Sequence, residues 1–379
     1  MEHGGTGKSL EHLLYLMDNS KYECKVICSN PLSHGIYDEV FKDRMIAWPQ
    51  WFKTFLCSTF LIRVNIFFHR YCNITFWLPI YRLAINHVAR QHGIDIVVGY
   101  QENVPTHIAS AFKGRSIVWI HGIYSSYVAG KKCSESCCYH RADAIVCVSQ
   151  HAANELKGIM PQEAHKITHI YNVLDKEKIH NAAKKATNDA RFVREGFVIV
   201  SVGRFNWVKQ FEKIPEIARK ITDTGCRDFK WYIIGDGNEA LMDKTATLTD
   251  RYGLKDNVIM LGSKDNPYPY IAKANLLVST SQSESCPYVV NEAKVLHVPV
   301  VSTDYPSASE LIDDNTGIVT PLQDMHAVLH RLIANKDNAY TSLSERCSNY
   351  EYQNAPMMQQ IYALMEEPPC RGDNGSDTQ

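Results

Sequence analysis

Short apolar, β-branched runs alternate with amphipathic stretches along most of the chain, the pattern of parallel α/β architecture. In the first half, CKVICS (24–29), DIVVGY (95–100), SIVWIH (116–121) and AIVCVS (144–149) predict strands, and SLEHLLYLMD (9–18), LPIYRLAINHVARQHG (78–93) and HAANELKG (151–158) predict helices. The chain turns polar over 175–192, as a linker or a boundary helix would. A second series follows, with strands expected at FVIVSVG (197–203), KWYIIG (230–235), VIMLG (258–262), NLLVST (275–280) and VPVVST (298–303). Helices are expected between them at 211–225 and 238–253. Two such series predict two Rossmann-like, doubly wound domains facing a cleft formed at the carboxyl ends of their strands. The expected boundaries are 1–185 and 186–347, followed by a C-terminal helix over 348–367 and a disordered tail over 368–379.

The start of the chain departs from this scheme. A doubly wound domain opens with a strand, a glycine-rich turn and a helix, yet His3-Gly4-Gly5-Thr6-Gly7 stands first, so the first strand is apparently missing. Gly7-Lys8-Ser9 resembles the end of a phosphate-binding P-loop, but the glycine that motif needs is Glu2 here and no strand precedes it. Gly4 and Gly5 are instead expected to form a tight turn that brings backbone close to a ligand.

Composition narrows the function. At 379 residues the chain exceeds the usual size of a single core. Its net charge of −1 gives no reason to expect nucleic acid as a partner. Most of the twelve cysteines sit singly in apolar segments, as buried reduced thiols do, which suits a cytoplasmic protein. Cys133, Cys137, Cys138 and His140 lack the paired spacing of a zinc site, so no metal is expected there. The aromatic stretch from Trp51 to Leu83 is broken by Lys53, Arg63, His69 and Arg70, too often for a membrane span. It reads as a core helix with a connecting loop, or as an amphipathic segment lying on a membrane surface.

The chemistry concentrates in the second half. In SESCPYVVNEA, a polar loop after strand 275–280 leads to Pro287 and Tyr288 at the start of a helix, whose free N–H groups suit a phosphate. Glu292 would lie just over a turn inside that helix, with its carboxylate available to two ribose hydroxyls, and Glu284 in the loop before it. Arg204 and Lys209 follow strand 197–203, at the edge where a diphosphate leaving group needs its charge stabilised. Gly235 ends the next strand in a close turn, and Asn266 belongs to the turn-rich loop 262–270, which could border a nucleotide base. In the first half His121 ends its strand and points to the same crevice.

These residues in this order resemble glycosyltransferase family 4. The resemblance is strong over about 197–320, through VGRF, IIGDG, NVIMLG, NPYPYI, the SES–P–VVNEA run, PVVSTD and SELIDDNTGIV, and weaker over HGGTGKSLEHLL, VWIHG, DAIVCVS and IYNVLD. The family implies a GT-B fold and retaining, metal-independent transfer from a nucleotide-sugar donor, which is a substrate and not a cofactor. No D-x-D motif occurs in the chain. By position, Arg204 and Lys209 would hold the diphosphate and Glu292 the ribose; Glu284 would contact the transferred sugar, with His121 beside its reacting face. The chain departs from the family at Gln210 and at Ser285-Cys286, where the family usually has glycine, and the bulkier loop would narrow the donor pocket. The expected activity is hexosyl-type transfer from a UDP- or GDP-sugar to a glycan or lipid-linked glycan in polysaccharide biosynthesis, with peripheral contact at the inner membrane face. A nucleotide-sugar epimerase and a catalytically silent nucleotide-sugar-binding protein are the alternatives.

Overall fold

A computed structural model describes residues 5–28, 40–57, 78–125 and 136–368. Gly4, Cys133, the middle of the aromatic 51–83 stretch and the expected tail beyond 368 lie outside these residues. The chain divides into two compact units, the first holding residues 1–174 and 354–379 and the second residues 175–353.

In the first unit, strands β1 (Ile96–Gly99), β2 (Arg115–Ile120), β3 (Ala144–Cys147) and β4 (Ile167–His169) form a parallel sheet in that order. β2 and β3 are buried along their whole length, which is why they read as continuous apolar runs without alternation. β4 is only three residues long (ITH) and escapes periodicity analysis. CKVICS is not a strand: Val26 makes only an isolated bridge to Met45. The glycine turn also differs from expectation, because Gly5 already begins the helix Gly5–Leu16 and Gly7 is buried within it. Ser9 on that helix donates to Asn172 Oδ1 at 2.9 Å and bonds the Tyr100 hydroxyl at 2.7 Å, a polar interior network in place of a phosphate loop.

The aromatic segment supplies two described helices, Gln50–Cys57 and Leu78–His92. Phe52, Leu78, Tyr81, Ile85 and Val88 join Trp48 and Phe112 in one core cluster. Trp51 and Leu83 stay outside it, 47% and 67% exposed. No described helix is long and apolar enough to cross a membrane.

In the second unit, β5 (Phe197–Val202), β6 (Phe229–Ile234), β7 (Val258–Gly262), β8 (Leu276–Ser279), β9 (Val300–Thr303) and β10 (Gly317–Thr320) form a parallel sheet ordered β10-β9-β8-β5-β6-β7. The chain runs outward from β5 to β7, then returns to β8 beside β5 and runs the other way. The strand order therefore reverses between β5 and β8, and open α/β sheets bind ligands at such a switch point. The core on this sheet gathers Ile199, Phe205, Phe211, Ile217, Trp231, Val278, Val301 and Leu329. Trp231 finds its polar partner inside this core: its Nε1 donates to Ser201 Oγ at 3.0 Å.

The C-terminal helix, Ala355–Glu366, is shorter than expected and belongs to the first unit, not to the series before it. Arg115, at the start of β2 and 3% exposed, explains this. Its Nε and Nη2 donate to Leu364 O at 3.0 and 2.6 Å, Nη1 to Pro368 O at 2.6 Å, and Nη2 to Glu367 Oε2 at 2.9 Å. A buried guanidinium thus satisfies the orphan carbonyls of a helix end, where cations are also favoured by the helix dipole. Tyr362 stacks on Tyr22 at 5.5 Å and its hydroxyl accepts the Asp18 N–H at 3.0 Å. Replacing Arg115 by Met is expected to destabilise the protein by about 2–4 kcal/mol, because the buried Leu364 carbonyl and the part-buried Pro368 carbonyl lose their donor. Thermal melting and limited proteolysis check this; an unchanged melting temperature with a protected 355–366 helix would refute it.

Candidate functional site

The site is built at the β5–β8 switch point of the second unit. Beyond β5 the chain must leave the sheet close to its neighbours. A Cβ on Gly235 would stand 1.8 Å from the Gly203 carbonyl oxygen, and one on Gly237 would stand 2.4 Å from that of Phe205. Gly235 and Gly237, just past β6, are therefore required by close backbone approach. Gly235 serves this packing, and the Phe205 N–H donates to Asp236 O at 2.6 Å across the same junction.

The following loop carries Arg204, which is exposed, and Lys209, which is not. Asn206 folds this loop by accepting the Lys209 N–H on Oδ1 at 2.9 Å. Next, Gln210 adopts a left-handed conformation, φ 51° and ψ 34°. This is a position that suits glycine: it needs a positive φ, which glycine takes freely and glutamine at some cost. Gln210 gains a side-chain bond in return, its Nε2 donating to Gln282 Oε1 at 3.2 Å.

The loop after β8 meets this turn directly. Thr280 Oγ1 donates to Lys209 O at 2.6 Å, and the Gln282 N–H donates to Val208 O at 2.7 Å. Lys209 Nζ then reaches Glu284 Oε1 at 2.5 Å, with both side chains less than one fifth exposed. The Ser281 hydroxyl donates to the same Glu284 oxygen at 2.9 Å. Two residues 75 positions apart are thus held by backbone bonds between the loops as well as by their own charges.

From below, Ser307 Oγ donates to Glu284 O at 2.7 Å and Thr303 Oγ1 donates to Ser281 O. Pro287 (φ −66°, ψ 120°) is the cap residue of the helix Tyr288–Val295, one position earlier than the first-turn place expected for it. Tyr288, the first helical residue, is buried. Glu292 lies inside that helix at 2% exposure, and the Tyr268 hydroxyl donates to its Oε1 at 2.9 Å.

Asn266 turns the other way. Its Nδ2 donates to Ala182 O at 2.8 Å, fastening the 262–270 loop to the helix Lys176–Ala183. The same fastening continues through Asp189, which binds Arg191 at 2.6 Å and Lys264 at 2.9 Å. These two cations hold the Asp189 carboxyl well below the usual carboxylate range, Arg191 contributing most.

In the first unit, His121 follows β2. Its N–H and that of Gly122 both donate to Glu102 Oε1, at 2.7 and 2.6 Å, so one carboxylate oxygen closes the strand end. The imidazole packs edge-on to Tyr100 at 4.9 Å. Although the residue as a whole is partly exposed, its Nε2 is enclosed, with no hydrogen-bond partner among the described residues. Burial pushes the ring down to about 4, opposed by a backbone hydrogen bond at Tyr100, so the imidazole is neutral near pH 7.

Tyr268, Ser281, Thr303, Ser307 and Glu102 escaped sequence reasoning, since hydroxyls and a loop carboxylate carry no spacing signal. Lys294 left one: a lysine inside the apolar run YVVNEAKVL is unusual for a surface residue. Among the described residues no group of three or more His, Cys, Asp or Glu is placed to hold a metal ion. Cys137 is exposed and Cys138 buried, and His140 Nδ1 pairs with Glu163 at 2.6 Å.

Comparison with known proteins fits this geometry. The glycosyl transferases group 1 model matches residues 183–354, and the Glycosyltransferase Family 4 model matches residues 3–178. The amylovoran biosynthesis glycosyltransferase AmsD of Erwinia amylovora is 25% identical over 229 residues, covering 59% of this chain and 62% of that protein. An N-acetylgalactosaminyltransferase of Campylobacter jejuni acting on a diphospho-undecaprenol substrate is 27% identical over 219 residues, covering 57% and 56%. With an uncharacterized glycosyltransferase of Methanocaldococcus jannaschii the match spans 41% of the relative, so the chain matches between 41% and 62% of the length of these three. The structure of Anabaena HepE in complex with UDP superposes with a TM-score of 0.66 at 16% identity, covering 96% of both chains. The lipopolysaccharide outer core galactosyltransferase WaaB gives 0.63 at 15%, also covering 96% of each. At these identities the structural likeness is one of fold, GT-B.

The buried imidazole gives a pH prediction. His121 binds its proton less readily folded than unfolded, so its contribution to stability is complete above pH 6.5 and is lost as pH falls toward 4. Its ring proton resonances should hold constant from pH 8 to 5; a titration midpoint near 6.5 would contradict the enclosed ring.

Proposed function

We propose, for a chain that belongs to glycosyltransferase family 4, a retaining transfer of a hexose-type sugar from a UDP- or GDP-sugar to a glycan or lipid-linked glycan acceptor. The observation that carries this reading is the meeting of Lys209 and Glu284 across the β5–β8 switch point. A cation and a carboxylate at one strand edge suit the two ends of a sugar diphosphate: the ammonium its leaving oxygens, the carboxylate the hydroxyls of the sugar.

In this reading Lys209 and the exposed Arg204 neutralise charge on the departing diphosphate in place of a metal ion. Donor binding then exchanges the Lys209–Glu284 ion pair for two contacts with substrate. Gly235 and Asn266 hold the loops beside this edge; Pro287 and Tyr288 open a helix whose N–H groups favour a phosphate. Glu292, steadied by Tyr268, accepts the ribose hydroxyls. A neutral His121 fits a role beside the reacting sugar face as a hydrogen-bonding group, and its depressed basicity makes it a poor proton reservoir near pH 7. The acceptor hydroxyl attacks from the face that the diphosphate leaves, which retains the anomeric configuration.

Lys209→Ala or Glu292→Ala should lower transfer of radiolabelled sugar by roughly a hundredfold, the scale for losing one group that stabilises developing charge. Unchanged turnover in either would sink the assignment. A second prediction concerns the acceptor side: Trp51 and Leu83, exposed on two helices of the first unit, favour contact with a membrane surface at the cytoplasmic face. Co-sedimentation with vesicles should increase with anionic lipid and fall for a Trp51→Ser, Leu83→Ser double variant; identical sedimentation in all cases would exclude it.

A further inference from the structure

Lys294 is 6% exposed and lies two residues beyond Glu292 on the same helix. Its Nζ donates to Leu311 O at 2.5 Å and stands 4.7 Å over the centre of the Tyr350 ring. Asp313 is close enough to favour its charge, but no carboxylate forms an ion pair with it among the described residues. Desolvation dominates and pulls the amine down to about 8. A buried ammonium held by one carbonyl and an aromatic face is costly, and an apolar residue would fill that space more stably.

What the lysine holds gives it a reason. Leu311 ends the one-turn helix Ala308–Leu311, which Ser307 precedes. The Ser307 hydroxyl donates to Glu284 O at 2.7 Å. Inside this turn the Glu310 N–H donates to Ser307 O at 3.2 Å and the Ile312 N–H to Ala308 O at 3.0 Å, making it a compact spacer. Lys294 grips one end and Glu284 is gripped from the other. Thr303 supports Ser281 from β9 in the same layer, so the loop that carries Glu284 rests on a platform the lysine fixes.

We propose that Lys294 is a positioning residue for Glu284, setting through Leu311 and Ser307 where that carboxylate meets the transferred sugar. The sugar-contacting role of Glu284 rests on the activity proposed above; the mechanical link from Lys294 to the loop does not. Losing the amine leaves the Leu311 carbonyl buried without its donor, so the turn shifts to find another. Removing the Ser307 hydroxyl cuts the same link one step later, without disturbing the helix that carries Glu292.

Two measurements on Lys294→Met and Ser307→Ala, each compared with the unmodified protein, separate the two levels. Amide hydrogen exchange reads the link: residues 281–286 should exchange at least about tenfold faster in both variants, while the helix Glu239–Arg251 stays unchanged. Protection of 281–286 equal to the unmodified protein in both variants overturns the proposal, as does a loss of protection spread across the whole second unit in both. Calorimetry with UDP and GDP, alone and as their glucose conjugates, reads the consequence. Each variant should bind the bare nucleotide within about threefold of the unmodified protein but lose roughly tenfold in affinity for the sugar conjugate, about 1.4 kcal/mol. Equal losses for nucleotide and conjugate would show that Lys294 supports the helix of Glu292 and not Glu284. If the unmodified protein binds neither nucleotide, the donor reading fails, while hydrogen exchange still decides whether Lys294 governs the loop.

Discussion

The Lys209–Glu284 pair depends on a backbone arrangement that exists before either charge is considered. Parallel strands that reverse their order leave two loops emerging side by side, and here those loops are sewn together by Thr280 on Lys209 O and by Gln282 on Val208 O. The ion pair is the last element of this seam. A partly buried pair with so much backbone support loses little side-chain freedom in forming, unlike exposed pairs, whose ordering cost cancels most of their attraction. Much of the second unit serves the seam: Gly235 and Gly237 after β6 let the backbones close, Gln210 turns the chain through a left-handed residue, and Ser307 and Thr303 hold the far loop.

The sequence revealed what periodicity and strand ends can reveal. All five strands expected in the second half are present, because buried parallel strands write themselves as unbroken β-branched runs. The placing of Arg204, Lys209 and Glu284 was legible for the same reason, since a residue just past such a run stands at the sheet edge, and that of Glu292 followed from the helix predicted after Pro287. ITH at β4 has only three residues and fell below the length at which a period can be seen, while GIVT at β10 was read only within the SELIDDNTGIV run and not as a strand. CKVICS has strand-like composition yet makes only one bridge. Composition describes a segment's willingness to pair, and pairing also requires a neighbour in register.

The groups around the charged residues were harder to read. Tyr268, Ser307 and Glu102 act through hydrogen bonds to partners distant in sequence, and nothing in local spacing foretells such partners. Asn266 has a task that the sequence did not show. A turn-rich loop at the right sheet edge suggested a nucleotide contact, and the asparagine side chain donates to Ala182 O and ties its loop to the helix where the second unit begins. A loop that faces a site must also be anchored, and some of its polar residues are consumed by that task.

The seam where the chain enters and leaves the second unit bears on how the protein is made. The Leu174 N–H donates to Asn354 Oδ1 at 3.0 Å, and Asn354 Nδ2 donates back to Leu174 O at 2.7 Å. Just inside, Lys176 pairs with Glu351 at 3.1 Å. The second unit is thus a closed excursion whose two ends are clasped, flanked by the two parts of the first. During synthesis the helix that Arg115 clamps reaches the exit of the ribosome only after all of that excursion has been made. Until then the buried guanidinium waits without its carbonyls, and the first half of the chain leaves the ribosome earliest but completes its own fold last.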